Sequence, residues 1–191
     1  MIIGITGPIC SGKSVLSEEL VKRGFTRLTL SEEVRDEARK RGIPIERVAL
    51  QTLGNELRKL YGKGYWAQRL LEKTKEGNQY VIEGIRNPGE IEKLRRIKDF
   101  VLIGITAPEE KRLQWMLARN KDSDPKTIEG IKVIDARDRG HGEDEHGQQS
   151  DACFALSDLL INNSGALEDL RKALERVLEE LVYQPSDASA H

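Results

Sequence analysis

Five short apolar runs punctuate the chain: Met1 to Thr6, Arg27 to Leu30, Tyr80 to Glu83, Phe100 to Thr106 and Leu159 to Asn162. Each is bounded by polar or helix-period sequence, the pattern of a buried strand. The intervals between them are far longer than a hairpin needs, so the strands should run parallel with helices over both faces, an α/β layered domain. In such sheets ligands gather at the carboxyl ends of the strands. The turns leaving those ends are Gly7 to Ser14, Glu83 to Arg86, Ala107-Pro108 and Asn162 to Gly165. Between the strands, Glu46 to Tyr61 predicts a helix with Val48, Leu53, Leu57 and Leu60 inward, broken at Gly62-Lys63-Gly64 and resumed from Tyr65-Trp66 toward Leu70-Leu71. A last helix carries Leu167, Leu170, Leu174, Val177, Leu178 and Leu181 at helical spacing.

Apolar positions thin out from Asn120 to Ser150, leaving Ile128, Ile131, Val133 and Ile134. This stretch reads as a small polar lid, an insertion at about 119–150, followed by a solvated glycine-rich acidic loop, Gly140 to Gly147. Residues 1–183 are thus expected to form one domain, with 184–191 a fraying polar tail.

The first strand feeds Gly7-Pro8-Ile9-Cys10-Ser11-Gly12-Lys13-Ser14, which fits the phosphate-binding pattern G-x-x-x-x-G-K-[ST], and Val15-Leu16 with Leu20-Val21 starts a helix directly afterwards. Strand, turn and helix fall where the chemistry needs them: glycines let the backbone approach phosphate oxygens, and the helix N-terminus faces the anion. Gly7, Ile9, Cys10, Ser11, Gly12, Lys13 and Ser14 are assigned to the triphosphate. Lys13 should reach the β- and γ-phosphates, and Ser14 should hold Mg²⁺. Glu83, at the end of the third run, is the second candidate for placing the metal.

Charged residues make up 33% of the 191, yet they nearly cancel to a net charge of −1, so the chain shows no global attraction to nucleic acid or an anionic membrane. No window approaches a membrane span, and a cytoplasmic protein is expected. Cys10 and Cys153 form neither a disulfide framework nor a metal cluster; Cys10 is read as a small filler in the loop. His141, Glu143, Asp144, Glu145 and His146 crowd together without the spacing of a closed metal site. A guanine-reading N-K-x-D is missing, since Asn120-Lys121-Asp122 is followed by Ser123, and a conventional GTPase is rejected.

Beyond the phosphate loop, the chain carries Gln51-Thr52-Leu53-Gly54 with Arg58 and Tyr65-Trp66, then Ile82-Glu83-Gly84-Ile85-Arg86-Asn87-Pro88-Gly89-Glu90. It also carries Arg112, Arg119, Arg137 and Arg139 in and around the lid, and Asp158 to Gly165 near the end. With these strings it resembles the P-loop nucleoside and deoxynucleoside monophosphate kinases, allied to dephospho-coenzyme A kinases. The resemblance covers nearly the whole chain. It implies a P-loop NTPase three-layer α/β/α fold with a five-stranded parallel sheet, Mg²⁺ and ATP as donor system, and adenine cradled by the loop of Asn163 and Gly165.

The residues support that chemistry. Bringing two polyanions together requires several arginines to neutralise and align them. Arg58 and Arg86 are expected to clamp the acceptor phosphate, with Arg35 as a third candidate and Gln51 facing the acceptor base. Arg119 and Arg137 are expected to close over the triphosphate and act with Lys13 in catalysis. The expected partner is a small nucleotide-like acceptor, without membrane or nucleic acid, and homodimer formation is left open. Three rival readings are a dephospho-coenzyme A kinase, which would need a general base where Ser31, Glu32 and Glu33 stand, an ATP-dependent regulatory module with no acceptor, and phosphorylation of a nucleic-acid base or end, which would need a basic channel that the balanced composition does not advertise.

Overall fold

The computed structural model describes residues 1–119 and 127–183. Five parallel strands, β1 (Ile2–Thr6), β2 (Thr26–Thr29), β3 (Tyr80–Glu83), β4 (Phe100–Thr106) and β5 (Leu159–Asn162), form one sheet in the order β2-β3-β1-β4-β5. The central strand β1 is buried along its full length, and its register places Gly4 beside Ile82 on one neighbour and Leu102 on the other. Because β1 lies between β3 and β4, its carboxyl end is the topological switch point where ligands collect in open α/β sheets.

Alternation along the strands divides the core in two. Ile2, Tyr80, Ile82 and Leu102 face a cluster with Leu53, Leu57, Trp66, Ile91 and Leu94 from α3 (Arg47–Tyr61), α4 (Tyr65–Leu71) and α5 (Pro88–Leu94). On the opposite face Ile3, Ile5, Val81, Ile103 and Ile105 meet Leu16 and Leu20 of α1 (Lys13–Val21) and Leu170, Leu174 and Val177 of α9 (Leu167–Tyr183). Each fully buried Leu or Ile contributes about 2 kcal/mol. The remaining helices are α2 (Leu30–Arg41), α6 (Glu109–Arg119), α7 (Ile128–Arg139) and α8 (Ser150–Ala155). No helix among the described residues is long and apolar enough to cross a membrane.

The sheet expected from the apolar runs is present, with β1 beginning one residue later, at Ile2, and β2 shifted back by one, to Thr26–Thr29. Leu30 opens α2 instead of closing β2, because the Thr29 hydroxyl accepts from the Glu32 amide and caps the helix there. In α3, Leu53 and Leu57 point inward as expected, but Val48 and Leu60 are 66% and 67% exposed. Polar Gln51 and Arg58 take buried places on that helix instead. The acidic loop after α7 is also not the solvated loop that its composition suggests. Gly147 and Gln148 are buried, and the Asn87 side-chain amide donates to the carbonyls of Glu145 and Gly147. The loop is a strap laced to the start of α5. Asn120 to Ser123, part of the expected lid, and the 184–191 tail lie outside the described residues.

Candidate active site

At the carboxyl end of β1 the chain turns through two glycines that no other residue could replace without strain. Gly7 and Gly12 have φ of +139° and +106°, and a Cβ on Gly7 would lie 2.0 Å from the Ile105 carbonyl oxygen. The backbone is thereby free to wrap a ligand. Lys13 folds over this turn, its Nζ donating to the carbonyls of Gly7 and Pro8 at 2.7 Å each. Burial lowers the Lys13 pKa to about 8, against the opposing pull of the nearby Asp138 carboxylate. The Ser11 hydroxyl is buried without a hydrogen-bond partner among the described residues. An orphaned donor, a half-buried ammonium and a helix N-terminus without a side-chain cap fit a phosphate chain.

Beside the turn, the Ser14 hydroxyl donates to Glu83 Oε2 at 3.3 Å, while Arg27 Nε lies 2.7 Å from Glu83 Oε1. A hydroxyl and a carboxylate are the hard oxygen donors that Mg²⁺ takes, and these two residues fit it. On the far side, Asn163 bridges β5 to the loop. Its Nδ2 donates to the Ser11 carbonyl at 3.0 Å and its Oδ1 accepts from the Gly165 amide at 3.1 Å.

Two cavities open from this centre. The larger, about 840 Å³, contains the phosphate loop, Glu83, Arg27, Asn163 and Gly165, and is walled on one side by Trp115 of α6. The smaller, about 430 Å³, lies between α2, α3 and the strap and is lined by Leu30, Val34, Gln51, Trp66 and Gln148. Arg35, Arg86 and Arg119 line both. In the smaller cavity Arg47 and Arg58 raise the count to five arginines, and no carboxylate of the described residues lines it.

Residues 3–139 match the family described as AAA domain. The chain belongs to this family. It is 34% identical over 184 residues to a UPF0200 protein of Methanothrix thermoacetophila, covering 94% of this chain and 97% of that protein. Shikimate kinase from Aquifex aeolicus aligns with a TM-score of 0.57 at 19% identity, over 97% of this chain and all of that structure. A gluconokinase from Sinorhizobium meliloti aligns with a TM-score of 0.54 at 15% identity, over 95% of each chain. At those identities the likeness is one of fold: an α/β, P-loop kinase-like architecture around a five-stranded parallel sheet.

Against this frame the expected site residues separate. Cys10, Ser11, Gly12, Lys13, Ser14, Glu83, Asn163 and Gly165 occupy one cleft, as do Arg35, Arg86 and Arg119 at its junction with the second, while Gly7 lies in the turn beneath it, against Ile105 and Ser11. Ile9 lines both cavities, but its side chain also packs with Met116 and Ile131, which anchors the loop to α6 and α7. Gln51 faces the smaller cavity with its Nε2 donating to Gln148 Oε1 at 3.1 Å.

Arg58 lines the same cavity, yet its donors are committed: Nε and Nη2 lie 2.9 Å from Glu90 Oε1, and Nη1 donates to Asn55. A buried guanidinium needs a buried carboxylate, and Glu90 is fully buried. Its placement is that of a strut, where a phosphate clamp was expected. Arg137 is drawn to Glu143, Nε to Oε1 at 2.5 Å, and lines neither cavity. Arg112 makes a two-pronged pair with Asp135 and donates to the Ile9 carbonyl at 3.0 Å, fixing the phosphate loop from outside. Arg139 pairs with Asp151.

Sequence reasoning missed Trp115, Glu90 and Asp138. Trp115 had a signal, since it lies four residues before Arg119 and so on the same helix face. Glu90 had one too, because Asn87-Pro88-Gly89-Glu90 has the spacing of a capping box, whereas the partners of Asp138, Arg86 and Ser150, are 52 and 12 positions away.

Proposed function

We propose that this protein is an ATP- and Mg²⁺-dependent small-molecule kinase that moves the γ-phosphoryl group onto the phosphate of a nucleoside or deoxynucleoside monophosphate. One observation carries the reading: a phosphate-binding cleft meets a second cavity at three shared arginines, and that second cavity is lined by cations without a carboxylate. A hydroxyl acceptor, as in a dephospho-coenzyme A kinase, calls for a general base facing it. A phosphate acceptor needs no base and several positive charges.

In this reading Lys13 leaves the carbonyls of Gly7 and Pro8 for the phosphate chain, whose charge restores the full protonation that burial weakens. The amides of the loop hold the phosphates, and Ser11 gains the partner it lacks. Ser14 and Glu83 would hold Mg²⁺, which when bound neutralises charge on the phosphate oxygens. Trp115 gives the donor base a flat apolar wall opposite Gly165, where a Cβ would lie 3.4 Å from the indole Cζ2. Arg35, Arg86 and Arg119 flank the transferring group from the junction and counter the charge it develops. The Gln51 and Gln148 amides close the far end of the acceptor cavity, at a position suited to a base edge.

The test is ADP formation from Mg²⁺ and ATP with each ribo- and deoxyribonucleoside monophosphate, dephospho-coenzyme A, shikimate and gluconate, with Lys13→Ala as blank. Stimulation by one monophosphate is expected. Stimulation only by a hydroxyl acceptor would overturn the phosphate-acceptor reading, and silence across the panel with ATP still bound would favour a regulatory ATP-binding module.

A further inference from the structure

We propose that Asp138 is a positioning residue that holds the Arg86 guanidinium where the two cavities meet, and so ties helix α7 to the point of transfer. The inference rests on the reading of that junction as a phosphate site. Asp138 is 2% exposed and sits in the last turn of α7. A carboxylate there is disfavoured twice, by desolvation and by the negative end of the helix dipole. Something must offset both costs.

Two groups do. The Ser150 hydroxyl donates to Asp138 Oδ2 at 3.1 Å, and Arg86 Nε lies 3.1 Å from Oδ1. Oδ1 accepts no hydrogen bond among the described residues, so its partner is the guanidinium charge alone. The backbone of Arg86 is already fixed from both sides: its amide donates to Glu90 Oε2 at 2.8 Å, and its carbonyl accepts from the Gln149 amide at 2.6 Å. Only the direction of the side chain is left to set. The ion pair on the Nε edge draws the side chain toward Asp138 and turns the two terminal nitrogens away from the carboxylate. Because Ser150 and Gln149 follow the strap, α7, the strap and Arg86 form one connected unit beside the acceptor cavity. Lys13 is the other cation that the Asp138 charge acts on, across the same centre.

A plain electrostatic role predicts the opposite sign from a positioning role. Removing a buried negative charge beside Lys13 and Arg86 should tighten anion binding, whereas releasing Arg86 from its aimed direction should weaken whatever reaches the junction. The probes are inorganic tripolyphosphate, long enough to fill the phosphate loop, and linear hexapolyphosphate, long enough to continue past it. Calorimetry would compare wild type, Asp138→Asn, Arg86→Ala, the double variant and Lys13→Ala, with Ser150→Ala as a milder perturbation if Asp138→Asn folds poorly.

The expected result is that hexapolyphosphate binds wild type more tightly than tripolyphosphate, and that Arg86→Ala erases that preference. Asp138→Asn should reduce it about 5- to 10-fold, the worth of about 1–1.4 kcal/mol, and cause no further loss in the Arg86→Ala background. Ser150→Ala should shift it in the same direction and less. Unchanged or tighter hexapolyphosphate binding by Asp138→Asn, or a loss that persists without Arg86, would overturn the role of Asp138 and leave the transfer site standing. If Lys13→Ala bound tripolyphosphate as well as wild type does, or wild type showed no hexapolyphosphate preference, the reading of the site would fall with it.

Discussion

The nucleotide cleft has one continuous segment at its centre, Ile9 to Ser14, within a turn shaped by Gly7 and Gly12. The wall of the second cavity draws instead on side chains whose partners lie 32 and 97 positions away, in Arg58–Glu90 and Gln51–Gln148, with Asn55–Glu143, 88 positions apart, bracing α3 against the strap beside it. A local turn can be specified by local letters. A cavity built of struts depends on how α3, α5 and the strap converge, and each strut replaces apolar packing with a buried polar pair that is costly if left half-made. The two halves should therefore fail in different ways: the first in chemistry with the fold intact, the second in stability before chemistry.

The sharpest test of the first half is Lys13→Ala. It deletes the one ammonium in the phosphate loop and no packing partner, so turnover should fall by about 10³-fold while the melting temperature moves little. A large drop in melting temperature would erase the contrast between the halves.

The matching break in the second half is Glu90→Gln. The Glu90 carboxylate takes Arg58 on one oxygen and the amides of Arg86 and Asn87 on the other. The neutral amide leaves the Arg58 charge buried and unpaired, a loss of about 3 kcal/mol, which for a chain of this size is a fall of about 6–12 °C in melting temperature. Thermal unfolding of the variant checks it, and an unshifted transition would mean that Arg58 is held by something other than its carboxylate.

Trp115→Ala sharpens the comparison inside the nucleotide cleft, because it separates base from phosphate. ADP affinity should drop about 5- to 10-fold with tripolyphosphate affinity unchanged. The fluorescence response to ADP should vanish as well, since the only other tryptophan, Trp66, is fully buried in the sheet-side core. A fluorescence change that survives in the variant would move the base elsewhere.

This division also explains what was legible in the chain. Short apolar runs located all five strands, and the loop motif located the glycine turn after β1, because both are set by near neighbours. Arg86 was visible through its position after a strand end. Arg58 was visible as a residue, but nothing local reveals that Glu90 pairs with its charge. The pairing of Arg137 was hidden in the same way, since Glu143 belongs to a strap that reads in sequence as solvated loop. Val48 and Leu60 mark the limit of hydrophobic periodicity: α3 turns polar residues inward wherever a cavity needs lining.

The smallest effect expected is a proton. Burial holds Lys13 at about 8, well below its ordinary 10.5. In the free protein that lowering destabilises the charged form, so across this window the fold gains stability as pH rises, because the unfolded chain binds more protons there than the folded one. A bound triphosphate reverses the balance by stabilising the ammonium. Binding should therefore take up a fraction of one proton between about pH 8 and the ordinary lysine value, and affinity should be complete below that window and decline through it. Calorimetry in buffers of different ionisation enthalpy reads this uptake directly. Lys13→Arg, whose guanidinium does not titrate in this range, should abolish the uptake. Equal uptake in that variant would assign the proton to another group in the cleft and leave the buried lysine charged at every pH where the protein works.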